Sequence, residues 1–237
     1  MSTIPEFTVT APSPVLKEPT RPVFGAPEAV DPRFKLRYFL SAELKSLLGR
    51  LVSRQVVPAH PHLHVGCGPR IAKGFENLDF YTLSLQGLRL PIRRHDLRFP
   101  LPYPDASFTG AFTEHVMEHL FSHEVVAVMR EFRRVLKPGG VLRVTVPDLG
   151  KYIRFYSGAS SPGEFQRHYR SGCEALWALT QCWGHVSCWD AETMIRVLQQ
   201  VGFTSVTEVS FGKGANPDLI IDDPEKAWET LYVEAIK

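Results

Sequence analysis

Leu63-His64-Val65-Gly66-Cys67-Gly68-Pro69-Arg70 is a short apolar run that breaks into a turn carrying two glycines. Where side chains are missing, a ligand can come up against the backbone and its N–H groups. A glycine turn after a strand is equally just a tight turn, so its meaning rests on the residues downstream. Asp79 closes a second apolar run, Glu76–Phe80, and Asp96 closes a third, Ile92–Asp96. Two carboxylates that end successive strands share one sheet edge, outside the strands' carboxyl ends, where open α/β sheets bind ligands. A carboxylate there accepts well from two vicinal hydroxyls or from an exocyclic amine. Equally, either acid could merely cap a strand end or loop. Too few residues lie between Gly68 and Asp79 for a helix with two loops, so the first crossover helix is very short or absent. That shortness argues against a dinucleotide site, where the glycine fingerprint opens a helix.

The histidines allow two kinds of chemistry. His115-Val116-Met117-Glu118-His119 fits the inverted zinc-protease pattern, in which two histidines four apart face one way on a helix. His123 starts a new helix after Ser122 and the chain shows no third ligand motif beyond it, so no metal is expected; a zinc hydrolase using His115, Glu118 and His119 stays as an alternative. A neutral histidine also suits proton removal, and the candidate bases are His115 at a strand mouth and His185 in the aromatic segment 182–189. Asp148, after Pro147, is the next candidate. Each of these can instead be an ordinary packed or hydrogen-bonded side chain. Tyr152, Tyr156, Tyr169, Trp183 and Trp189 could line a pocket, although aromatics more often build core. Arg89, Arg93, Arg94 and Arg98 form a basic cluster that fits either an anionic group or a solvated face.

These residues need elements to hold them. Strand-like runs at Leu63–Val65, Glu76–Phe80, Ile92–Asp96, Phe108–Thr113 and Val141–Val146 alternate with helical patterns, which predicts a mostly parallel α/β sheet. After Ser122 as N-cap, Val125, Val128, Met129, Phe132, Val135 and Leu136 form one helical face, stopped by Lys137-Pro138-Gly139-Gly140. A second helix begins at the cap Asp190 and ends at Gly202, with Leu198 and Phe203 as the hydrophobic pair of a Schellman cap. Two further strand-like runs, Ser205–Phe211 and Leu231–Ile236, close the chain. Residues 149–189 lack clean periodicity and are expected as an insertion over the sheet's working edge. Leu40, Leu44, Leu47, Leu48 and Leu51 make one stripe of a helix over roughly 33–53. Residues 1–32, with seven of the 19 prolines, predict an extended or disordered arm that could serve as a lid or a dimer clasp.

Composition bounds the function. With 237 residues, 44% hydrophobic and 22% charged, the chain can bury a core unaided. A net charge of +2 is too weak to imply nucleic-acid or membrane partners. Cys67, Cys173, Cys182 and Cys188 show no paired spacing, which predicts reduced thiols. No apolar run reaches the roughly 18 residues a membrane span needs and no signal-peptide pattern opens the chain, so a cytoplasmic location is expected.

Taken in order, the glycine turn, Asp79, Asp96, the Phe99–Phe108 segment, Glu114-His115 through His119-Leu120, and Leu136-Lys137-Pro138-Gly139-Gly140 closely resemble the class I S-adenosylmethionine-dependent methyltransferases, in the small-molecule, type 11-like group. The resemblance covers roughly 60–147. The tail, with Gly184-His185, Trp189-Asp190, Gly202-Phe203 and Leu231–Lys237, is similar to bacterial members, including ones associated with cell-surface sugar modification. It implies a Rossmann-like seven-stranded sheet in the order 3-2-1-4-5-7-6, strand 7 antiparallel and helices on both faces, within a domain over 33–237. It also implies S-adenosylmethionine as cofactor, with Gly66, Cys67 and Gly68 under its methionine part, Asp79 on the ribose, Asp96 with Leu97 at the adenine, and Glu114 beside them. The expected reaction is methyl transfer to a small-molecule or sugar acceptor, most readily at oxygen, with a second copy of the chain as a further partner. His64 stands where the family often has an acid and Arg70 where it often has a third glycine. These departures leave open a cofactor-binding protein with lost or redirected transfer.

Overall fold

The computed structural model describes residues 55–80, 84–85, 88–89, 91–159 and 163–237, together with Leu40 and Leu44. The proline-rich arm and most of the 33–53 helix lie outside the described residues; Leu40 and Leu44 are helical and exposed.

In chain order the strands are β1 His62–Val65, β2 Phe75–Asp79, β3 Ser84–Leu85, β4 Leu88–Arg89, β5 Arg93–Arg94, β6 Phe108–Glu114, β7 Leu136–Pro147, β8 Ser205–Val209 and β9 Thr230–Ile236. The α-helices are α1 Ser122–Val135, α2 Leu149–Tyr156, α3 Glu164–His168, α4 Gly172–Gln181 and α5 Ala191–Gln200. β3 and β4 pair only with each other; the remaining seven form one sheet in the order β5-β2-β1-β6-β7-β9-β8. β9 is antiparallel to both neighbours and the central pairings are parallel. This is the expected 3-2-1-4-5-7-6 order. No helix separates β1 from β2, as their spacing requires.

Alternation divides the sheet into two unlike faces. Leu63, Val65, Ala111, Leu142, Val144 and Val233 meet the apolar stripe of α1 (Val125, Val128, Met129, Phe132) and Met194 and Leu198 of α5. A Leu, Val, Phe or Met taken fully out of water contributes about 1.5–3 kcal/mol, so this layer carries most of the stability. The opposite face presents Phe112, Val141 and Leu219, with His62, His64, Arg143 and Glu234 also buried. Among the described residues, segment 210–223 folds back over it.

Several boundaries differ from expectation. The third strand shortens from Ile92–Asp96 to Arg93–Arg94, which leaves Asp96 in the loop beyond it. β2 begins one residue earlier than expected and ends on Asp79. The strand expected over Ser205–Phe211 ends at Val209, and the expected stop at 137–140 continues as the start of β7. There Gly139 N–H donates to the Lys237 carbonyl at 2.9 Å, so the chain end pairs with the turn. Ser122 is the first residue of α1, not its cap: Phe121 N–H donates to Glu124 Oε2 at 2.8 Å, a carboxylate reaching back over the helix start. Asp190 caps α5 as expected, through Thr193 N–H at 2.8 Å. Phe203 N–H donates to the Leu198 carbonyl at 3.1 Å, past Gly202 at φ +98°, completing the expected Schellman cap.

His64 gives a test of the buried layer. It lies in the middle of β1 between the rings of Phe75 and Phe112, with Nδ1 buried and without a hydrogen-bond partner. Burial, with Arg70 adding to it, holds its pKa down to about 4. The unfolded chain binds the proton more tightly, so stability is full above about pH 6.5 and declines as pH falls toward 4, by about 3 kcal/mol in all. Urea unfolding at pH 7.5 and 4.5 is expected to show this loss in the wild type and a smaller loss, by about 2–3 kcal/mol, in His64→Leu. Equal losses in the two proteins would assign the acid sensitivity elsewhere.

Candidate active site

The carboxyl ends of β1, β2, β5, β6 and β7 bring the glycine turn, Asp79, Asp96, Glu114, His115 and Asp148 to one edge of the sheet. Gly66 and Gly68 take φ of +70° and +50°, values that β-carbons disfavour. A β-carbon at Gly66 would lie 2.1 Å from Val116 Cγ2, so this glycine is needed for packing beneath the turn. A β-carbon at Gly68 would meet nothing within 4 Å, so this glycine opens the space above the turn.

The turn's amides are more occupied than expected. Gly66 and Cys67 N–H donate to the Leu78 carbonyl at 2.8 and 3.2 Å, and Gly68 N–H donates to Asp79 Oδ2 at 2.9 Å. β2 therefore clasps the turn, and the turn offers a ligand room rather than amide donors. Cys67 is buried, and burial together with the Asp79 charge pushes its thiol up to about 12, which makes it inert. Asp96 accepts from Arg98 Nη2 at 2.7 Å and Nε at 3.1 Å, and Leu97 packs against the main core. The cluster of arginines thereby divides: Arg98 serves Asp96, while Arg93 and Arg94 are exposed.

Glu114 and Arg70 belong together. Arg70 Nη1 donates to Glu114 Oε2 at 2.5 Å and its Nη2 to the Ile221 carbonyl at 3.0 Å; Asp223 N–H donates to Glu114 Oε1 at 2.9 Å. Burial raises the Glu114 pKa against the pull of these donors. The arginine in place of a third glycine thus ties the turn to the 221–223 segment. No residue of that segment is among the candidates named from the sequence, and the hint it offers is the paired aspartates Asp222-Asp223.

His115, Glu118, His119 and His185 converge. His115 has φ +51°, an uncommon conformation for a residue other than glycine. Its Nδ1 lies 3.5 Å from Glu118 Oε1; His119 Nε2 and His185 Nε2 lie 3.9 and 4.0 Å from the same oxygen. The segment is not the helix of the zinc-protease pattern: Met117–His119 is a single 3-10 turn and α1 starts afresh at Ser122. Burial pushes Glu118 up to about 8, holds His119 down at about 4 and lowers His115 and His185, so all three imidazoles are neutral at pH 7. Asp148 is otherwise committed: it caps α2 through Gly150 N–H at 2.8 Å and lies 3.5 Å from Arg154 Nη2.

The aromatics separate into core and surface. Tyr152 and Tyr169 join Phe165, Ala178 and Leu179 in a small second core of the 149–189 segment, and Tyr152 donates a short hydrogen bond to Glu229. Trp189 belongs to the main core, while Tyr156 and Trp183 are exposed. No helix among the described residues is long and apolar enough to cross a membrane.

Comparison with known proteins adds two findings. Residues 76–144 match a family model described as a methyltransferase domain. Among solved structures, an S-adenosylmethionine-dependent methyltransferase from Archaeoglobus fulgidus is 18% identical, with 87% of this chain and 100% of that one covered, at a TM-score of 0.46. One from Mesorhizobium loti is also 18% identical, with 83% and 98% covered, at 0.46.

Proposed function

We propose that the chain, whose residues 76–144 match a methyltransferase-domain model, is a class I S-adenosylmethionine-dependent methyltransferase and that its reaction is methylation of a small-molecule or sugar hydroxyl at the carboxyl edge of the sheet. The observation that carries this reading is the glycine turn: it is open above Gly68 and held against Asp79, with Glu114 at the end of the neighbouring strand β6 and the histidine cluster beyond it.

In this reading Gly66, Cys67 and Gly68 lie under the methionine part of the cofactor, Asp79 takes the ribose hydroxyls, Asp96 and Leu97 meet the adenine, and Glu114 with Arg70 fixes the wall between turn and loop. S-adenosylmethionine supplies a methyl carbon already activated by its sulfonium sulfur. This chain's own work is then to align an acceptor oxygen in line with that carbon and to take its proton. A neutral imidazole does the second. We assign the role to His115, with the more exposed His119 as the entry side, since the carboxylate of Asp148 is engaged at α2. The 149–189 segment covers the acceptor. A net charge of +2 favours a small acceptor over nucleic acid.

The test is calorimetric titration of S-adenosylmethionine and S-adenosylhomocysteine into wild type and Asp79→Asn, followed by mass-spectrometric detection of methyl transfer to a panel of hydroxylated acceptors. Loss of a charge-assisted contact to two hydroxyls is expected to weaken binding by about 10–100-fold with folding intact. Wild-type protein that binds neither compound would overturn the reading. Tight binding without transfer to any acceptor would favour the redirected function that Arg70, paired to Glu114, keeps in view.

A further inference from the structure

We propose that Glu118, His119 and His185, with His115 beside them, form a binding site for a divalent first-row transition-metal ion of the zinc class. The proposal stands on side-chain geometry and does not depend on methyl transfer. Glu118 is 1% exposed, and both its carboxylate oxygens are buried without a hydrogen-bond partner. A buried carboxylate left so is costly, and native folds pair such groups or give them a cation.

The surrounding imidazoles present the right atoms. His185 Nδ1 lies 2.7 Å from the Leu179 carbonyl, which can only accept, so Nδ1 carries the proton and Nε2 the lone pair. The Thr230 hydroxyl donates to the Lys226 carbonyl at 2.7 Å, so at 2.8 Å it accepts from His115 Nε2, which leaves the lone pair on Nδ1. Both lone pairs are on the nitrogens nearest Glu118. His119 Nε2 is the third, and the Glu118, His119 and His185 donor atoms all lie within 4.8 Å of one another. Protons donated outward to carbonyl and hydroxyl oxygens are the arrangement that orients metal-bound histidines.

The donor atoms must draw together on loading. Ligands at roughly 2.0–2.1 Å in a tetrahedron place donor atoms about 3.4 Å apart. The separations from Glu118 Oε1 are 3.5, 3.9 and 4.0 Å, beyond hydrogen-bond reach. A proton on Glu118 would therefore leave the group unsatisfied, whereas an ion would bridge it. Two imidazoles with one carboxylate select zinc-class ions over magnesium or calcium. Lys226 opposes a cation here, and Glu114 and Glu229 favour one. Access is from the His119 side, where that side chain is 39% exposed.

The experiment uses the full chain without a polyhistidine tag, stripped with a chelator and dialysed metal-free, with cofactor and acceptor absent. Zn2+ is titrated by calorimetry, and Co2+ by its visible absorption. One saturable equivalent per chain is expected, with a cobalt spectrum of low coordination number. Glu118→Gln keeps the side chain's size and replaces an unpartnered carboxyl group with a neutral amide. It is expected to stay folded by circular dichroism and to weaken Zn2+ binding by about 100-fold. His119→Gln, at the most exposed ligand, is expected to weaken it similarly and decides the matter if Glu118→Gln does not fold. Wild type without saturable binding overturns the proposal. Binding unchanged in the folded variants puts the ion elsewhere and overturns it too.

Discussion

Arg143→Met is expected to destabilise the protein by about 3–5 kcal/mol, lowering the melting temperature by roughly 10 °C. Arg143 lies in β7 with none of its side chain exposed. Its Nε and Nη2 donate to the two oxygens of Asp222 at 2.7 and 2.6 Å, and its Nη1 donates to Glu234 Oε1 at 2.9 Å and to the Lys213 carbonyl at 2.8 Å. Both carboxylates are nearly fully buried and have further work: Asp222 accepts from Gly212 N–H and Glu234 from Ala215 N–H. Methionine fills much of the space but leaves two carboxylates buried without their cation, and this desolvation dominates the cost. A triple variant with Arg143→Met, Asp222→Asn and Glu234→Gln is expected to recover part of the loss, because the stranded charges are gone. Thermal melts of the single and triple variants check this, and a single variant that melts with the wild type would contradict it. The effect reaches the site as well: Asp222 adjoins Asp223, whose N–H holds Glu114.

Gly66→Ala and Gly68→Ala are expected to fail in different ways although they lie two residues apart. Both glycines have positive φ, which costs an alanine about 1 kcal/mol. At Gly66 the new methyl would also drive into Val116, so the turn and the start of the 3-10 segment must shift; a lower melting temperature and loss of cofactor binding are expected together. At Gly68 the methyl projects into open space, so the melting temperature should change little. If the cofactor lies against this backbone, its affinity should still fall by at least about 10-fold. Melting curves and S-adenosylhomocysteine calorimetry on both variants separate the outcomes. Unchanged affinity in Gly68→Ala would remove the cofactor from the turn.

Much of the architecture was legible because it is local. The period-2 runs, the Asp190 cap, the Leu198–Phe203 pair and the short Gly68–Asp79 spacing are set by neighbours in the chain, and the order of motifs carried the sheet topology. Strand ends were less legible: hydrogen bonding to a partner strand decides whether Ile92–Asp96 pairs over five residues or two, and apolarity alone does not record it.

What only the tertiary structure decided are the contacts between distant charged and polar groups. Arg70 with Glu114 and Asp223, Arg143 with Asp222 and Glu234, and His115 with Thr230 join positions 44 to 153 residues apart. A charge's partner depends on burial and on which loop folds back, neither of which leaves a period in the sequence. The same applies to the histidines. Their spacing suggested a helix face, whereas a 3-10 turn, a left-handed His115 and a remote His185 bring their lone pairs onto one buried carboxylate. By itself the sequence determined the fold and the edge on which the candidate site lies; the folded chain determined which side chains meet there, because desolvation and pairing are properties of the packed state.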